Sequence, residues 1–308
     1  MWAAFMRRRR LDHSTSSVAL SVISKAKLKN TQTRTRHPKA AAERDPSGKW
    51  ATSGDYPEQK LSGNTLELEY ARQYRDLYTR HWWWRAREQA ILRVIRRQLG
   101  SSAGLRILDV GCGDGLFFGK LAEFGDVDGV EPDERLVNPQ GPFRERIRIA
   151  PFDTNFRSSA PYSLVLMLDV LEHLNNPGEA LRHAHSMLAP GGALLLTVPA
   201  FQILWTNHDT INHHLVRYRR GTLRPLLRQA GFAILEERYW YQWTCPVKFV
   251  IRMFESILHR PPAVARVPPN WINRLLYWIS YAEQETLGAI GMPFGSTLVV
   301  YCTKQGTH

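Results

Sequence analysis

The segment Ile107-Leu108-Asp109-Val110-Gly111-Cys112-Gly113-Asp114-Gly115 limits the fold more than any other stretch of the chain. An apolar run that opens into alternating glycines predicts a strand turning sharply into a helix. Glycine lets the backbone reverse and approach a ligand without a Cβ in the way. The start of the helix adds N–H groups that have no partner within it. In a dinucleotide site these groups meet a pyrophosphate. Here Asp109 and Asp114 flank the bend, which disfavours a diphosphate and suits a cationic group such as an amine. Further along, Val127-Asp128-Gly129-Val130-Glu131-Pro132-Asp133 predicts a second strand ending in Glu131. A carboxylate at that place can accept bonds from both hydroxyls of a ribose.

The same grammar repeats downstream. Strands are expected at Arg106 to Val110, Val127 to Glu131, Ile147 to Ala150, Ser163 to Leu168, Ala193 to Val198, Phe232 to Trp240 and Ser296 to Thr303. Helices are expected at Leu116 to Phe124, Pro177 to Leu188 and Thr222 to Ala230. Alternation of this kind predicts an α/β fold, a Rossmann-like seven-stranded sheet, mostly parallel with the last strand antiparallel. Ahead of it, Leu66, Tyr70, Tyr74, Leu77, Tyr78, Ile91, Leu92, Ile95 and Leu99 recur at helical spacing, predicting an N-terminal helical cap over 61–100. The core domain is expected over 101–308, with a helical insertion at 241–294 between strands six and seven, too long for a hairpin turn.

The formal charge of +13 invites a nucleic-acid reading, but residues 1–60 hold thirteen Lys or Arg against five Asp or Glu and so carry most of the excess. These residues read as a disordered basic tail, and no nucleic-acid partner is expected. Three scattered cysteines form neither a disulfide framework nor a zinc pattern. No metal is expected, and a reducing, cytoplasmic setting is. The insertion's two amphipathic stretches, bearing Lys248, Arg252 and Arg274, read as a lid over their own domain. A contact of 241–294 with a bilayer surface is the second reading.

Taken together, these segments resemble the class I S-adenosylmethionine (SAM)-dependent methyltransferases, in the group that includes the ubiquinone- and menaquinone-type enzymes. The resemblance implies SAM as cofactor. It implies that Asp109, Gly111, Cys112, Gly113, Asp114 and Gly115 form its loop, and that Glu131, with Pro132 and Asp133, holds its ribose. It further implies that Phe152 and Asp153 face its adenine and that Leu168, Asp169 and Val170 line its cleft. Leu188-Ala189-Pro190-Gly191-Gly192 matches the family's turn before the fifth strand.

A narrower likeness is to bacterial methyltransferases of uncertain substrate. It rests on His81-Trp82-Trp83-Trp84-Arg85-Ala86-Arg87, Val198-Pro199-Ala200-Phe201, Trp205, His208-Asp209, His214, Arg217-Tyr218 and Pro293-Phe294-Gly295-Ser296. This chain departs at Val216, where Arg is usual, and at His213, where Gly is usual. Residues 199–220 follow the fifth strand and so border the crevice where open α/β sheets bind ligands. His208 or His214 is therefore the candidate base for a hydroxyl acceptor, with Asp209 orienting an imidazole. The expected function is methyl transfer to a small-molecule or lipid-linked acceptor, at oxygen. A non-catalytic SAM-binding module of the same fold is the alternative, and a nicotinamide oxidoreductase is disfavoured by the acidic bend.

Overall fold

Seven strands form one sheet in the order β3-β2-β1-β4-β5-β7-β6. They are β1 (Leu105–Val110), β2 (Gly125–Glu131), β3 (Ile147–Ile149), β4 (Tyr162–Leu168), β5 (Leu188–Pro199), β6 (Phe232–Trp240) and β7 (Thr297–Lys304). β1 pairs in parallel with β2 and β4, and β4 with β5. β7 runs antiparallel to both β5 and β6. The computed structural model describes residues 74–100, 104–258 and 266–305. The expected tail over 1–60 and the first part of the expected cap, 61–73, lie outside the described residues.

The central strands read as continuous apolar runs because helices cover both faces of the sheet. Side chains alternate across it. Leu108 and Val110 of β1 join Val165, Met167, Leu194 and Leu196 in the core on one face. Ile107, Leu164, Leu166, Ala193 and Leu195 join the core on the other. Leu164, Val165, Leu166 and Met167 are all completely buried, each contributing about 1.5–3 kcal/mol of apolar transfer. On the first face lie α4 (Pro177–Met187) and α6 (Arg220–Gln229).

The described part of the expected N-terminal helical cap forms α1 (74–80) and α2 (Trp82–Leu99). His81 separates them in an extended conformation, and its Nδ1 accepts the N–H of Trp83 at 3.2 Å, so an imidazole caps α2. The helix expected over Leu116 to Phe124 shrinks to α3 (Phe118–Leu121), because turns occupy the residues before and after it. Leu188, expected at a helix end, already pairs with Tyr162, so β5 begins before its glycine turn.

The insertion holds α7 (Thr244–Leu258), α8 (Asn270–Glu285) and the short α9 (Leu287–Ile290); residues 259–265 lie outside the described residues. α8 packs on α2. Buried Asn273 spans the α1–α2 break, accepting Trp82 N–H at 2.8 Å and donating to Arg80 O at 2.7 Å. α7 keeps Val247, Phe249, Val250, Ile251, Met253 and Phe254 exposed. No helix among the described residues is long and apolar enough to cross a membrane.

Candidate active site

Where β1 ends, the chain bends through Gly111, Gly113 and Gly115, all with left-handed φ. At two of these positions a side chain has no room. A Cβ on Gly111 would stand 2.9 Å from Val170 Cγ2, and one on Gly113 2.8 Å from the Tyr74 hydroxyl. The bend is moored to β2 by Gly111 N–H donating to Val130 O at 2.8 Å and Gly113 N–H donating to Glu131 Oε2 at 2.9 Å. Glu131 Oε1 accepts the Asp133 N–H at 3.0 Å. An ionised carboxylate accepts about four bonds, so Glu131 keeps capacity for ribose hydroxyls while already fixing the bend. Burial pushes its pKa up, against the pull of those two backbone N–H groups.

Asp109 is buried beside the bend, and burial raises its pKa to about 7. The positive Arg87 opposes that shift and Glu131 adds to it. Arg87 reaches in from α2 to Asp169 Oδ2 at 2.7 Å, while Thr197 donates to Asp169 Oδ1 at 3.1 Å. The pocket thus gathers buried carboxyl groups around a side-chain-poor loop, a cradle suited to a nucleoside that carries positive charge. SAM fits it. Asp109 and the bend would face its charged amino-acid end, and Glu131 its ribose.

Other expected cofactor residues are already engaged. Asp114 pairs with Arg75 of α1 and accepts Asn138 N–H at 2.9 Å. The Cys112 sulfur turns inward, where a Cβ on Gly129 would meet it at 2.4 Å. Asp133 holds Arg135 in a two-pronged ion pair. Asp153 caps its own turn through Asn155 N–H at 2.8 Å. Phe152 packs against His183, with ring centroids 4.7 Å apart. Leu168, Asp169 and Val170 are half-buried at the end of β4. Of the cleft residues, Val170 packs against the bend at Gly111.

Asp169, Phe201, His213 and Tyr241 are the described non-glycine residues with positive φ, between 53° and 60°. Three of them directly follow or nearly follow the ends of β4, β5 and β6, around the crevice. Such backbone costs about 1–3 kcal/mol per residue and gathers at functional sites. His213 stands where the likeness leads one to expect glycine, and its left-handed φ of 53° explains that usual glycine.

Beyond β5, α5 (Asn207–Ile211) presents Asp209 inward, completely buried. Arg217 donates to both its oxygens, at 2.9 and 2.8 Å, and His214 Nδ1 lies 2.8 Å from Oδ1. Burial alone would raise the Asp209 pKa, but these bonds hold it far below the usual carboxylate range. Asp209 therefore orients His214 and not His208, whose exposed ring faces Asn212 at 3.3 Å. Arg217 is committed to Asp209 and to Ala200 O. Arg87 and Arg75 took no part in the expected site. The signal for Arg87 was its place in the aromatic-Arg helix; nothing marked Arg75.

A family profile described as "Methyltransferase domain" matches residues 83–237. The chain is 34% identical to the ubiquinone biosynthesis O-methyltransferase of Caulobacter sp. (strain K31) over 120 residues, 36% of this chain and 48% of that protein. Its counterpart from Ruegeria pomeroyi is 33% identical over 106 residues, 31% of this chain and 43% of that protein. The chain thus spans about half the length of the curated relatives it matches. Haemonchus contortus phosphoethanolamine N-methyltransferase 2, solved with SAM, shares the fold at a TM-score of 0.51 and 13% identity, covering 80% of this chain and 59% of its own. The cyclase SpnF shares it at 0.50 and 16%, covering 79% and 97%. With the sheet order in agreement, this chain belongs to the methyltransferase-domain family of class I SAM-dependent proteins, and the curated relatives it resembles are of the ubiquinone type.

Proposed function

We propose that this protein transfers a methyl group from SAM to an oxygen of a small-molecule or lipid-linked acceptor. The observation that carries the reading is the glycine bend tied to Glu131 beside the buried Asp109. SAM supplies an activated methyl group on a sulfonium. The protein's work is then to align an acceptor and manage its proton. Asp209 fixes the His214 ring, leaving Nε2, 4.0 Å from Glu172 Oε1, as the nitrogen that can take a proton. The oxygen acceptor draws support from the relatives named as O-methyltransferases. The exposed apolar residues of α7 suit an acceptor with a greasy tail.

The test uses the full chain. Calorimetric titration with SAM, with NAD as control, is followed by incubation with methyl-labelled SAM and a cell extract split into lipid and water-soluble fractions. Saturable SAM binding and label appearing in an alkali-stable ether support the reading. Binding without transfer to any fraction points to the non-catalytic alternative, and tighter binding of NAD than of SAM removes the reading altogether.

A further inference from the structure

A cavity of about 340 Å³ opens where α1, the start of α2 and α8 meet, and no residue of the glycine bend lines it. Its walls carry Arg80 of α1, Arg85 of α2 and Arg274 of α8, together with Thr79, Asn270 and Asn273. No acidic side chain among the described residues lines it. Arg80 pairs with Asp76 at 3.0 Å, but both side chains are exposed, and such a pair contributes little. Arg85 lies over the Tyr277 ring, 5.0 Å from its centroid. The guanidinium groups of Arg85 and Arg274 make no hydrogen bond or ion pair among the described residues. Three positive charges thus share one concave space without a counter-charge inside it, an arrangement that costs Coulomb energy until an anion enters.

We propose that this cavity binds a phosphate monoester, held by Arg80, Arg85 and Arg274. A guanidinium offers a planar fork of N–H donors that matches phosphate oxygens in pairs. Near neutral pH a phosphate monoester carries close to two negative charges, which three guanidinium groups can balance. The volume exceeds what inorganic phosphate needs and lies within the usual range for small-ligand sites, about 300–1,000 Å³, so a group attached to the phosphate has room. The wall is also set in advance. Buried Asn273 holds the α1–α2 break to α8 through Trp82 N–H and Arg80 O, which fixes the backbones that carry Arg80, Arg85 and Arg274. α8 starts beside the cavity with no acid in its first turn, so its dipole adds to the positive field.

The phosphate could come from a soluble ester or from the head group of a phosphatidic acid. The second source is open because Trp271, Leu275 and Trp278 are exposed on α8 around Arg274, where acyl chains could lie against them. In either case the ligand bridges α1, α2 and α8 and stabilises the folded chain. The binding itself does not depend on the proposed methyl transfer.

The full chain, without SAM, is titrated calorimetrically with glycerol 3-phosphate, and with acetate as a carboxylate control, at about 0.15 M salt to screen loose surface attraction. In parallel it is sedimented with phosphatidylcholine vesicles containing phosphatidic acid or, as a phosphodiester control, phosphatidylglycerol. Residues 1–60 are basic and can attract any anionic vesicle, so the vesicle readout is the difference between the parent and Arg85→Gln/Arg274→Gln. Saturable binding of one glycerol 3-phosphate per chain supports the proposal with a soluble ester as the source. Preference for phosphatidic acid vesicles that the double variant loses supports it with the head group as the source. Arg85→Gln and Arg274→Gln are each expected to weaken binding by about tenfold or more. Arg228→Gln, which alters an exposed arginine of α6, should bind as the parent does. Circular dichroism and a separate SAM titration establish that the variants are folded. Binding in neither arm overturns the proposal. So does binding that the double variant keeps, that Arg228→Gln loses equally, or that acetate matches.

Discussion

His214 and Arg217 share one carboxylate: Asp209 accepts from His214 Nδ1 at 2.8 Å and from Arg217 Nη2 at 2.8 Å, joining α5 to the loop that follows it. Removing Asp209 strands a buried guanidinium. Asp209→Ala is therefore expected to destabilise the protein by about 3–5 kcal/mol, read as a lowered denaturant midpoint at unchanged slope. His214→Gln, which leaves the ion pair intact, should cost far less stability and fall mainly on turnover. Equal losses of stability in the two variants would contradict this division.

Asp109 sets cofactor affinity against stability. Its pKa near 7 means the folded state holds a proton there that the unfolded chain, near 3.8, has released. Its contribution to stability is thus present at low pH and lost as pH rises from about 4 to about 7. Affinity for a cationic nucleoside should rise over the upper part of that window, as the carboxylate forms. Asp109→Asn is expected to raise the thermal midpoint at pH 8 by about 2–4 °C and to weaken SAM binding by about tenfold or more. Calorimetric titrations at pH 6 and pH 8 check both signs.

The bend should tolerate no side chain. Gly111→Ala places a methyl 2.9 Å from Val170 at a φ of 70°. The expected cost is about 1–2 kcal/mol of stability, with a larger proportional loss of SAM affinity than of stability. An alanine variant that binds SAM as tightly as the parent would remove the bend from the site.

His81 caps α2 as a neutral imidazole. Burial lowers its pKa to about 4, against 6.5 in the unfolded chain. Its contribution is complete above pH 6.5 and is lost as pH falls toward 4. His81→Asn, which can cap without titrating, should flatten the acid limb of the stability profile. Because Asp109 acts with the opposite sign over much of this window, the comparison belongs in the Asp109→Asn background.

Asn273→Ala removes both bonds across the α1–α2 break. A loss of about 1–3 kcal/mol is expected, together with faster proteolysis between residues 74 and 100. Unchanged cleavage there would show that α8 packing alone holds the cap.

Legibility in the sequence followed the range of the forces involved. The strands around Val110, Glu131 and Leu168 were readable because the burial of both faces writes itself as unbroken apolar runs. The bend was readable because backbone curvature demands glycine, and Glu131 because it ends the neighbouring strand and accepts a bend N–H. The Asp209–Arg217 pair and Arg87 reaching Asp169 were not, because each joins segments that only the folded chain brings together. His208 and His214 looked equivalent in the sequence; their difference is one of direction, since a single carboxylate faces one and not the other. Asp114, Asp133 and Asp153 each also satisfy a nearby backbone or arginine donor, which the sequence did not show. An acid near a turn serves the turn first.

Asn273 has a wider consequence. The helix that carries it packs on α2, while the backbone it grips closes the segment whose Tyr74 and Arg75 rest against the glycine bend. Lifting that segment from the bend would strain both bonds to α8. One amide side chain thereby ties the helical insertion to the covering of the bend.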